Sequence, residues 1–160
     1  MERVNIYTYT TIKGPGTKSG TYTYILEYIT KKGPATLTMQ GELEEVTEHQ
    51  AHLKMLTEAA GRLKKPCEIV LYTDSSYIQR GIDSWMENWI SAGWVNARGK
   101  PVANMDEWKR VAELLEHHTI TFETGTKHSY SSWLQTETEK KEKERRKCLK
   151  DSENLTAQWK

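Results

Sequence analysis

The chain has 160 residues, enough for one domain with its own core, and its 23 Lys and Arg offset 22 Asp and Glu to a net charge of +1, which excludes a globally basic surface for nucleic acid and leaves only a local patch for that role. A hydrophobic fraction of 36% with 28% charged residues fits a soluble domain that carries one purely solvated segment. No apolar run approaches membrane-spanning length, no secretory signal opens the chain, and two cysteines (Cys67 and Cys148) are too few for a disulfide framework and lack metal-site spacing, so a reduced, cytoplasmic setting is expected.

Val4 to Thr10, VNIYTYT, reads as a strand with Val4, Ile6 and Thr8 on one face and Asn5, Tyr7 and Tyr9 on the other. The Gly- and Pro-punctuated stretch Lys13 to Gly20 predicts a turn, and Thr21 to Thr30 a second strand. After the turn KKGP a third strand follows, giving an antiparallel meander. From Thr47, a plausible N-cap, the apolar period lengthens to the helical stripe Ala51, Leu53, Leu56, Ala60 and Leu63, and Pro66 closes it. Cys67 to Thr73 is a short apolar run, as expected of a strand buried on both faces, and it ends at Asp74 and the potential cap Ser75. Ligands of open α/β sheets sit at such strand ends, which marks Asp74. A Trp-rich region that is helical at both ends follows, then the loop Asn96 to Asn104, a helix capped by Asn104, and a fifth strand at Thr119 to Thr124. The remainder is charged and predicts a solvated helix through about Lys150 with fraying last residues, without a clear apolar stripe.

The stretch CEIVLYTDSSYI and the following GIDSWMENWISAGWVNARGKPVANMDEWKRV resemble type 1 ribonuclease H, Trp for Trp over about forty residues. The resemblance implies an α/β fold with a mixed five-stranded sheet, strands one to three antiparallel, and helices on both faces. It implies residues 1–139 as the domain and residues 140–160 as a charged helical extension. It also implies cleavage of the RNA strand of an RNA–DNA hybrid by two Mg²⁺ ions held by four carboxylates. Two such ions stabilise the attacking and leaving oxygens together, and they require oxygen ligands.

Matched position by position, the third carboxylate is Asp74. The first falls on Tyr9 and the second on His52. The fourth falls near Glu137, because ungapped counting reaches Thr138 between Glu137 and Glu139. His128 matches the histidine that the family keeps in a mobile loop.

Each position also has a plain structural reading. Asp74 can begin a turn. His52 can be a core-edge side chain, a ligand for another metal, or a hydrogen-bond partner of Asp74. Tyr9 can fill an ion's space and donate to Asp74. Glu48, one turn before His52, can extend a carboxylate toward the site, so Asp74, Glu137 and Glu48 are the candidate ligands for Mg²⁺ or Mn²⁺. The tryptophans can stack bases or, more simply, pack helices. For nucleic acid, the candidates are His49 and Gln50 as donors to 2′-hydroxyls, and Arg98 and Lys100 as the phosphate contacts left in a handle that is otherwise Ile90, Ser91 and Ala92. Two replaced ligands and a thin handle point to a nucleic-acid or protein-binding relative with lost or reduced activity. The alternatives are an active hybrid nuclease with a rearranged metal site and an interaction module without nucleic acid.

Overall fold

In the computed structural model, which describes residues 1–158, β1 (Glu2–Thr10), β2 (Lys18–Thr30) and β3 (Gly33–Val46) form the antiparallel meander. β4 (Cys67–Thr73) pairs parallel to β1, and β5 (Thr119–Thr124) pairs parallel to β4. The sheet order is β3-β2-β1-β4-β5. Strand alternation sorts the two faces. Val4 and Ile6 of β1, Tyr22, Tyr24 and Leu26 of β2, and Ile69 and Leu71 of β4 face one helical layer. Tyr7 and Ile25 face the other.

The first layer is α1 (Glu48–Gly61), α2 (Ser76–Arg80), a π-helical turn at Gly81–Trp85, α3 (Met86–Ser91) and α4 (Met105–Leu115). Thr47 caps α1 as its sequence predicts, and Gln50 completes a capping box by accepting the Thr47 N–H. Asn104 does not cap α4 with its side chain. It stands at φ 58°, accepts from Gln50 and donates to the Tyr77 hydroxyl, which also receives the indole N–H of the fully buried Trp108. Gly81 makes room for that ring, since a Cβ there would lie 2.0 Å from it. Trp89 packs on Trp85, Trp94 and Trp108 at 5.4 to 6.3 Å, so the tryptophans join helices.

The second layer is one long helix, α5 (Ser131–Gln158). It runs past the expected end near Lys150, and it is not wholly solvated. Tyr130, Leu134, Thr138 and Glu142 meet Glu27, Ile25, Thr23 and Thr21 of β2 in turn. Four helical residues rise about 6.0 Å and two strand residues about 6.6 Å, so the two rows stay in step. The expected fraying of the last residues concerns in part residues 159–160, which lie outside the described residues. No described helix is long and apolar enough to cross a membrane.

Candidate active site

The parallel register that sets Tyr7 opposite Tyr72 brings the C-terminal ends of β1 and β4 side by side. Tyr9 and Asp74 follow two residues on. The first two turns of α1 supply Glu48 and His52, and the start of α5 supplies Ser131 and Gln135. Together with Lys13 and the Gly125–Thr126 backbone they line a cleft of about 220 Å³. Gly125 allows the loop before α5 to close on β4, because a Cβ there would stand 2.8 Å from the Asp74 backbone nitrogen.

Tyr9, Glu48, His52 and Asp74, all nominated from sequence, therefore share one cleft. Glu137 does not line it. The β2–α5 row buries Thr138 and fixes the rotation of the helix; the Glu137 backbone carbonyl accepts from Gln40 of β3, and Gln135 rather than Glu137 joins Asp74 in the cleft lining. Sequence reasoning missed Gln135. The signal was the Leu134–Thr138–Glu142 spacing, hidden because two of its three members are polar. His128 also lies outside the cleft lining. Its ring packs on Tyr7 and Tyr72 at 4.7 and 5.5 Å, and its Nδ1 accepts the Tyr130 N–H.

The expected bond from Tyr9 or His52 to Asp74 does not form. The Tyr9 hydroxyl donates to Glu139 at 3.1 Å and accepts from Lys13 at 3.3 Å, with the Lys13 ammonium 4.4 Å from the ring centroid. Burial raises the Tyr9 phenol above its ordinary value, so it stays protonated at neutral pH. Burial likewise lowers the imidazole of His52, only 8% exposed, against the opposing pull of Asp74 and Glu48. Glu48 is partly committed: its carboxylate accepts the Gly14 N–H at 2.9 Å and so clips the β1–β2 loop to α1, which sets Lys13 at the cleft.

A pair of Mg²⁺ ions does not fit this donor set. The cleft lining offers Asp74 and the engaged Glu48 beside a phenol, a neutral imidazole and a carboxamide, with Glu139 at its edge already accepting from Tyr9 and Gln135, where two hard ions need several free carboxylates. Among the described residues, no three His, Cys, Asp or Glu side chains converge as a metal site.

Of the nucleic-acid candidates, Arg98 and Lys100 have exposed side chains in the Asn96–Lys100 loop, and exposed His49 stacks on Tyr77 at 3.8 Å. Gln50 is held in place: its oxygen accepts the Thr47 N–H in the capping box and one amide N–H goes to Asn104, which leaves the second amide N–H as a donor.

Residues 1–131 match the family described as RNase H. A ribonuclease H of Chlorobium phaeobacteroides (strain BS1) is 34% identical over 130 residues, 81% of this chain and 86% of that protein. One of Geotalea uraniireducens (strain Rf4) is 37% identical over 92 residues, 58% of this chain and 63% of that protein. Among solved structures, LC9-RNase H1, described as a type 1 RNase H with the type 2 active-site motif, superposes with a TM-score of 0.72 at 19% identity, covering 89% of this chain and 72% of that one. At that identity the superposition speaks for the fold alone.

Proposed function

The chain belongs to the type 1 ribonuclease H family, and from that premise we propose that it binds nucleic acid of the RNA–DNA hybrid class with cleavage lost or strongly reduced. The donor chemistry of the cleft supports this reading most directly: Tyr9, His52 and Gln135 stand beside Asp74 where the reaction calls for carboxylates. Hydrolysis by in-line displacement must stabilise charge on both the entering and the leaving oxygen. This chain's own groups supply little of that. Tyr9 is a protonated phenol tied to Glu139, and His52 is buried and neutral. Lys13 brings one positive charge, and Asp74 one carboxylate at the exposed strand end. Such a cleft can seat a backbone without driving its scission.

One observation favours a second reading. Glu48 reaches the same cleft as Asp74 and His52, which leaves a rearranged site for Mn²⁺ or Mg²⁺ with slow hybrid cleavage. Incubating labelled RNA–DNA hybrid with the chain in Mg²⁺ and in Mn²⁺, beside an Asp74→Asn variant, separates the two. The expected result is hybrid binding at low salt with no cleavage above Asp74→Asn. Turnover above that variant would establish the second reading. An absence of hybrid binding even at low salt would leave an interaction module without nucleic acid.

A further inference from the structure

Tyr9 and Lys13 are shared between the cleft and a second groove of about 320 Å³ that lies between the β1–β2 loop and α5. Lys13, Lys143 and Arg146 line this groove, against Glu139 and Glu142. The two acids are not equivalent. Glu142 is buried and held by Arg145, whose Nε and Nη2 donate to its oxygens at 2.6 and 2.8 Å, and by the Thr21 hydroxyl at 2.9 Å. Arg145 thus matches its charge. Arg146 also donates to Glu142, through Nε at 2.9 Å, yet its side chain is 74% exposed. With Glu142 matched by Arg145, three cations face one remaining carboxylate, Glu139, which already accepts from Tyr9 and Gln135. In a chain of net charge +1, this is a local concentration of positive charge on the rim of the cleft.

We propose that this groove is an anion site that takes a backbone phosphate of the nucleic acid seated at the cleft, a proposal that rests on the hybrid-binding reading. Arg146 presents a planar donor fork suited to phosphate oxygens, and Lys13 and Lys143 add compact charges. The Arg98–Lys100 loop belongs to the helical layer on the opposite face of the sheet, so the two basic patches would grip the backbone from two sides. Phosphate contacts fix register without reading sequence. The groove would therefore supply hold that the thin handle lacks.

Hybrid binding measured against salt in EDTA tests this, using the full chain, Lys143→Gln/Arg146→Gln and, as handle control, Arg98→Gln/Lys100→Gln. The groove variant should bind roughly fivefold to tenfold more weakly at low salt, with a log–log salt slope shallower by about 1 to 2. Lys143→Glu carries the same test should the double variant be destabilised. Unchanged affinity and slope in the groove variant, with weakening in the handle variant, would overturn the groove while hybrid binding stands. Should the chain bind no hybrid, the underlying reading fails, and inorganic tripolyphosphate followed by NMR judges the groove alone. Saturable shifts at the Arg146 side-chain N–H and the Lys143 amide, absent in the double variant, support it, and no shift there overturns it.

Discussion

Burial keeps His52 neutral beside Asp74 and Glu48, and Gln135 stands near them without a charge. Restoring acids at the three replaced positions gives the sharpest account of what the cleft lacks. Tyr9→Asp/His52→Glu/Gln135→Asp places three new carboxylates around Asp74 and should raise Mg²⁺-dependent hybrid cleavage by at least about tenfold, about 1.4 kcal/mol of barrier. Tyr9→Asp/His52→Glu/Glu137→Asp, which adds no cleft carboxylate beyond the first two, should not exceed Tyr9→Asp/His52→Glu. Equal rates for the two triple variants would show that the rotation of α5 has been misjudged. Glu142 gives a residue-scale statement about pH. Its hydrogen bonds and ion pair with Arg145 hold the carboxyl at about 2, despite burial. A carboxyl whose folded value lies below its unfolded value of about 4.3 stabilises the fold above that unfolded value and loses the contribution as pH falls toward 2. Glu142→Gln should therefore cost on the order of 2 kcal/mol at pH 7 and flatten stability between roughly pH 4.5 and 2, read from urea unfolding at a series of pH values.

At the scale of elements, the packing of α5 on β2 decides both the core of that face and the composition of the cleft. Gln40 donates to Thr23, and Thr138 donates to the Leu134 carbonyl, so the Thr23 hydroxyl donates to Thr138. Breaking that buried pair from one side leaves an unmatched hydroxyl. Thr23→Val or Thr138→Val alone should cost about 1 to 2 kcal/mol, and the double variant less than their sum. Strict additivity in the cycle would mean that the two hydroxyls are not coupled. This pairing also explains what the sequence could and could not disclose. The strands, the capped α1 and the β4 end at Asp74 were legible because apolar alternation and cap residues mark them. The face of α5 was not, because it is built from Thr138 and Glu142, whose burial depends on partners 115 and 121 residues away. Counting along the chain reached Thr138 and nominated its neighbour Glu137, whereas the helix rotation set by those partners presents Gln135. Asn104 holds the N-cap position of α4 as its sequence predicts, but its amide is used by Gln50 and Tyr77 from other elements in place of a capping bond.

For the whole molecule, near-zero net charge conceals an uneven distribution, with Glu48 and Asp74 in the cleft and Lys13, Lys143 and Arg146 beside it. The same helix that carries this charge also joins the domain to any extension. Residue 139 falls within α5, which passes it without a break, and Glu142 and Arg145 beyond it tie the helix to Thr21 and to the Ser19 carbonyl. After Arg145 the described side chains are exposed. We therefore place the end of the folding unit near Lys147. A chain stopped after Glu139 loses a buried carboxylate, its guanidinium partner and their bonds to β2, a loss of about 2 to 4 kcal/mol that should lower the melting temperature by roughly 5 to 10 °C. A chain stopped after Lys147 keeps all of these and should melt within about 2 °C of the full chain. Thermal unfolding of the three lengths followed by circular dichroism gives the comparison, and equal melting of the Glu139 and full-length chains would make everything past residue 139 an appendage.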